Sequence, residues 1–125
     1  MFGWPKKKPS SPNGPDFSAI DSQEKAEQLF RQGEVEKLFL LPLEFGGQDV
    51  PDNYLFVPLG VADIKAGIDN NIVRPLIEDN TVTQYSAKAE YQGESFIPAA
   101  IRIEAFNPGN FTTQISIWGE ALAKS

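Results

Sequence analysis

The most regular pattern of apolar and polar positions lies in the last third of the chain. Between Thr81 and Tyr91, Tyr85, Ala87, Ala89 and Tyr91 alternate with Gln84, Ser86, Lys88 and Glu90. Between Ile97 and Phe106, Ala99, Ile101, Ile103 and Ala105 alternate with Ala100, Arg102 and Glu104. Between Phe111 and Trp118, Phe111, Thr113, Ile115 and Ile117 alternate with Thr112, Gln114 and Ser116. A period of two sends successive side chains to opposite faces of a sheet, so the three stretches predict an antiparallel meander with one wet face. Gln92-Gly93-Glu94-Ser95 and Asn107-Pro108-Gly109-Asn110 have the length and residue types of hairpin turns.

Upstream the period changes. Asp21 or Ser22 can cap a first helix, with Glu24 three residues after Asp21; Ala26, Leu29 and Phe30 form an apolar stripe, and Gly33 is a suitable stop. Val35 to Leu41 ends in four apolar residues before Pro42 and predicts a strand in the middle of a sheet. Tyr54-Leu55-Phe56-Val57 predicts a short buried strand ended by Pro58. Beyond it Val61, Ile64, Ile68 and Ile72 recur at helical spacing, which predicts a second helix with Asp63, Lys65 and Asp69 turned outward. Pro75 must kink or end that helix. Helices that cover the dry face of the sheet give an α+β domain: the three-strand meander plus one or two earlier strands, packed against two helices.

Composition narrows the chemistry more than it narrows the fold. The 125 residues suit one domain with a working core. The segment 1–15 holds four prolines together with Lys6, Lys7 and Lys8, and reads as a disordered Pro/Lys-rich tail ahead of a single α+β domain over 16–125. Phe2 and Trp4 beside the three lysines suit a weak contact with anionic lipid or a partner, against the plainer reading of a solvated terminus. The net charge is −6; the tail carries three of the eleven basic residues and none of the seventeen acids, so residues 16–125 carry −9. Stable binding to nucleic acid needs a basic surface and is not expected. No apolar run is long enough to span a membrane, no apolar stretch follows the early lysines, and there is no cysteine, so the expected location is the cytoplasm.

The chain also has no histidine, which removes Ser-His-Asp and Cys-His nucleophiles and, with cysteine absent, the common zinc sites. Carboxylates remain. Asp49, Asp52 and Asn53, behind Gly46-Gly47, form the best oxygen-ligand set for Mg²⁺ or Ca²⁺, although turns are ordinarily built of Asp and Asn. Glu78-Asp79-Asn80 is a second polar turn of that kind. Lys88, Glu90, Arg102 and Glu104 share the polar face of adjacent strands, where a cross-strand ion-pair lattice is the ordinary outcome and a partner surface the functional one. Trp118 either packs under Ala121-Leu122-Ala123 or is exposed at a partner interface, where Trp is enriched. Phe30, Phe39, Phe56 and Tyr85 are core by default and the lining of a small-molecule pocket otherwise.

Leu40-Leu41, Phe45-Gly46-Gly47, Asn53 and Val57-Pro58, followed by a helix, by Glu90-Tyr91-Gln92-Gly93-Glu94-Ser95 and by Pro98, resemble the pattern of the non-specific DNA/RNA endonucleases carried by bacterial polymorphic toxins. The resemblance spans residues 38–106. In that family a histidine just before the paired aliphatic residues activates water beside Mg²⁺; Phe39 stands at that position here. Asn53 and Val57-Pro58 are also two residues out of step with the pattern, and the family's basic groove has no counterpart in a body of this charge. The resemblance therefore implies a degenerate relative, against the plainer reading of a Gly-Gly turn that recurs between buried strands, and in neither case an active nuclease.

Two functions follow as expectations. The first is a non-enzymatic protein-binding module, immunity-like or accessory, whose partner is a protein of basic character. The second is a divalent-metal-dependent carboxylate hydrolase, or a degenerate nuclease, with its site at Asp49, Asp52 and Asn53.

Overall fold

A computed structural model describes residues 15–123, and the tail over residues 1–14 lies outside the described residues. The fold is α+β, with two antiparallel sheets in place of the one expected.

The chain enters through Phe17, whose ring meets Trp118 edge-on at 6.0 Å. Helix α1, Gln23–Arg31, is capped by Ser22, whose hydroxyl accepts from the Lys25 amide at 3.1 Å. Asp21 instead pairs with Lys25. Gly33 leaves the helix with φ at +77°, a conformation that L side chains rarely adopt. The stripe expected on α1 is graded: Ala26 is buried, Leu29 is half-buried, and Phe30 lies over Phe56 with ring centroids 5.0 Å apart.

Strands β1, Val35–Phe39, and β2, Tyr54–Pro58, pair only with each other, with Leu38 opposite Leu55 and Lys37 opposite Phe56. The expectation that β1 lies within a larger sheet is corrected here. Its apolar end is covered locally: Phe39 meets the Tyr54 ring edge-on at 6.4 Å, Leu38 is buried in the core, and Phe30 of α1 lies over Phe56 of β2. Lys37 lies 4.3 Å above the Tyr54 ring centre and holds Asp49 at 3.1 Å.

Helix α2, Val61–Ile68, runs into a π-helical turn, Asp69–Val73, and then into α3, Arg74–Glu78. The carboxylate of Glu36 on β1 accepts from the amides of Gly60 (2.8 Å) and Ala62 (3.1 Å), so a side chain from the first sheet anchors the start of α2. The kink expected at Pro75 takes the form of the π turn. Proline has no amide to give, and the Arg74 amide reaches back five residues to the Asp69 carbonyl.

The meander is as expected: β3, Val82–Glu90, β4, Ala100–Pro108, and β5, Asn110–Ser116, in the order β3-β4-β5. Tyr85 faces Ala105 and Ile103 faces Thr113 in the register. The β4–β5 register ends at Phe106 opposite Asn110, so Asn107-Pro108-Gly109 turns the chain, and a Cβ on Gly109 would stand 2.8 Å from the Thr81 carbonyl oxygen. The β3–β4 connection is not the tight hairpin expected. Residues 91–99 form a longer loop that turns at residues 92–95 and is closed at its base by the Ala99 amide on the Glu90 carbonyl (2.7 Å). It is fixed by Ser95, which is buried, donates to the Phe17 carbonyl (2.8 Å) and accepts from the Ile97 amide (3.0 Å). One apolar cluster joins both sheets and the helices through Leu38, Val57, Val73, Ile101, Ile103 and Trp118.

Candidate functional site

The largest departure from the sequence pattern is on α2. Its buried stripe is Val61, Lys65, Asp69 and Val73, while Ile64 and Ile72 are 54% and 43% exposed. The expectation that Lys65 and Asp69 turn outward is corrected: each is 3% exposed. A spacing of four overshoots an α-helical turn by about 40° per step, so the stripe would drift away from the core. The wider π turn takes back part of that drift and returns Val73 to the interior.

The two charges are held in a closed ring with Tyr85 of β3. The Lys65 ammonium donates to Asp69 Oδ2 at 2.6 Å and to the Tyr85 hydroxyl at 2.7 Å, and that hydroxyl donates to Asp69 Oδ1 at 2.8 Å. Burial depresses the Lys65 pKa below its usual range, and the Asp69 carboxylate opposes that shift. Burial raises the Tyr85 phenol far above its usual range, and the hydrogen bond to Asp69 adds to the rise. Each charge in the ring answers another, which is the condition under which buried ions are tolerated. A small cavity of about 150 Å³ opens over the ring between the end of β1, the short helical turn Leu43–Phe45 and α2.

About 100° around the helix from the buried stripe, α2 and the π turn present apolar groups to solvent, with Ile68 at the edge of the core. Ile64, the partly buried Ile68 and Ile72 follow one another at a spacing of four, and Leu59, just before the helix, is 61% exposed. Helices in globular domains ordinarily point such a stripe at the core. Here the polar pair faces the core and the isoleucines face out.

The residues singled out from the sequence are dispersed. The Asn53 side chain closes its own turn: its oxygen accepts from the Leu41 amide (2.9 Å), and its nitrogen donates to the carbonyls of Leu41 (3.0 Å) and Gln48 (2.9 Å). Asp49 is joined to Lys37, and among the described residues no group of three Asp or Glu side chains comes together as ion ligands do. In the turn after α3, Asp79 accepts from the amide and hydroxyl of Thr81, which holds its carboxyl below the usual range. Trp118 is not at a surface. It is 2% exposed and its indole nitrogen donates to the Ile97 carbonyl, in the 91–99 loop, at 2.9 Å. Glu90 reaches Arg102 at 3.7 Å, and Glu104 faces Ser86 and Thr112, so the expected lattice reduces to one exposed pair. Phe30, Phe39 and Phe56 lie on or against the first sheet, and Tyr85 is apart from them, in the second.

Spacing alone does not separate the outward isoleucines from the inward Lys65–Asp69 pair, because both stripes share a spacing of four. The signal available was Tyr85, an inward-facing phenol on β3 that needs a polar partner when buried.

No helix among the described residues is long and apolar enough to cross a membrane. No family model, curated protein or solved structure matches the chain.

Proposed function

We propose that this chain is a non-enzymatic protein-binding module, and that the isoleucine stripe of α2 is its docking face. The observation that carries the proposal is the reversal of α2: its two ions are spent on the interior while Ile64 and Ile72 lie open. Rotating the helix by about 100° would bury the isoleucines and expose the charges, an arrangement that the pairing with Tyr85 and the Glu36 anchor oppose. An outward apolar stripe on a helix is a common means of gripping a partner.

The partner that fits is a protein segment with an apolar face edged by Lys or Arg. Asp63 is exposed beside Ile64, and residues 16–125 carry −9. Charge of this kind speeds encounter and selects among partners, while the apolar contact supplies affinity.

Site-specific photo-crosslinking in the native cell tests the proposal. A crosslinking amino acid at Ile64 or Ile72 is expected to trap one and the same protein, in a yield that falls with added salt. The same probe at Lys88, on the wet face of β3, is expected to trap nothing comparable. Equal trapping at all three positions, or none at the isoleucines, refutes the proposal; a trapped second copy of this chain identifies self-association in place of a basic partner.

A further inference from the structure

A second feature lies away from the α2 stripe and does not depend on it. A groove of about 510 Å³ runs between α3, the turn at Leu43–Phe45 and the start of β3. Its volume is within the range of small-molecule sites. Its wall carries both signs of charge: Arg74 and Glu78 from α3, and Glu44 from the turn.

These charges do not satisfy one another. Arg74 and Glu78 are four residues apart on one helix, a spacing at which opposite charges commonly pair. Yet among the described residues no hydrogen bond or ion pair joins Arg74 to Glu78 or to Glu44. Arg74 is half-buried, in a body dominated by acids, without a carboxylate on its guanidinium. The floor between the charges is apolar: Ile77, and the Phe45 ring set edge-on to Tyr85 at 5.4 Å.

We infer that this groove binds a small zwitterion with an apolar side chain, of the class of the free aliphatic or aromatic α-amino acids. The guanidinium of Arg74 matches a carboxylate in a two-pronged contact. Glu44 and Glu78 offer acceptors for an ammonium group, and Phe45, Ile77 and Tyr85 take the side chain. A dicarboxylate would meet the two glutamates and a diamine would meet Arg74, so the mixed lining selects against both.

The test is calorimetry on the full chain with leucine and phenylalanine, alongside N-acetylleucine and leucinamide. At least one of the two amino acids is expected to bind saturably. Loss of the ammonium in N-acetylleucine, or of the carboxylate in leucinamide, is expected to weaken binding about tenfold or more, the usual effect of losing a charged hydrogen bond. Arg74→Gln is expected to remove binding while its melting temperature stays at the native value; should that variant fail to fold, Glu78→Gln serves with the same expectation. No binding by either amino acid overturns the inference. So does equal binding of the blocked compounds, or binding that survives the folded variants.

Discussion

The Lys65 ammonium and the Asp69 carboxylate stand 2.6 Å apart across one turn of α2, both shut off from solvent, with the Tyr85 hydroxyl bonded to each. The relationship settles which side of the helix faces the core. An ion pair replaced by apolar groups of similar size often costs nothing, whereas an ion deprived of its partner is expensive. Conformational choice is therefore the better explanation for a charged pair at this place.

A mutational cycle checks that explanation. Asp69→Asn or Lys65→Met alone is expected to cost about 3–5 kcal/mol, because each leaves a buried charge unanswered. Lys65→Met, Asp69→Leu and Tyr85→Phe together are expected to recover most of the loss in chemical denaturation. They are also expected to loosen the orientation of α2, seen as protection of Ile64 and Ile72 from solvent. A triple variant as unstable as the singles would show that the ring contributes net stability.

The same ring predicts an alkaline effect. Unfolded tyrosine loses its proton near pH 10, but the folded state holds the Tyr85 phenol protonated well above that. Above about pH 10 the unfolded chain thus binds fewer protons at this site, and stability from Tyr85 is lost as the pH rises. Lys65 acts in the opposite direction. Its folded pKa is depressed, so the cost of burying the ammonium is present at lower pH and eases as the pH climbs. The difference in unfolding free energy between the native chain and Tyr85→Phe isolates the phenol: it is expected to be flat below pH 10 and to shrink above it. A difference that stays constant across that range would contradict the assignment.

How much of this was legible beforehand varies with the kind of signal. The meander could be read because period two has no near neighbour: Ile101, Ile103 and Ala105 have one face to choose, and they took it. The α+β class followed from the same strands. Helix α2 was legible as a helix but not in its rotation, since Ile64-Ile68-Ile72 and Lys65-Asp69-Val73 differ by one position. Only a long-range contact with Tyr85, twenty residues from Lys65, decides between them. The place of Trp118 is hidden in the sequence for a similar reason: its indole partner, Ile97, is twenty-one residues away. The Arg74 groove depends on three elements brought together by the fold, and no local pattern marks it.

The proposed docking face makes a prediction about stability as well as binding. Ile64→Ser and Ile72→Ser remove exposed apolar groups and are expected to change the unfolding free energy by no more than about 0.5 kcal/mol. Val73→Ala, on the buried stripe, is expected to cost about 2 kcal/mol, from two methyl groups of transfer energy plus a small cavity. Thermal melts of the three variants check this. If Ile64→Ser proved as costly as Val73→Ala, the isoleucine stripe would be part of the core and the docking proposal would fail with it.

Asn53 supplies the last test, because its two competing roles respond differently to metal. As the clamp of its turn it satisfies the Leu41 amide and the carbonyls of Leu41 and Gln48, and Asn53→Ala leaves those groups to find water. The expected cost is about 1–3 kcal/mol, the net worth of three hydrogen bonds whose exposed backbone groups turn to water. Gly47 belongs to the same clamp, since a Cβ there would collide with the Leu41 carbonyl oxygen; Gly47→Ala is expected to be destabilising for that reason. A clamp works without ions, so both losses are expected to be the same with and without millimolar Mg²⁺ or Ca²⁺. An ion ligand behaves otherwise: metal would raise the melting temperature of the native chain but not that of Asn53→Ala. Such a metal-dependent gap would return Asp49, Asp52 and Asn53 to the role of an ion site, and the absence of a gap leaves Asn53 as the residue that joins residues 41, 48 and 53 into one rigid loop.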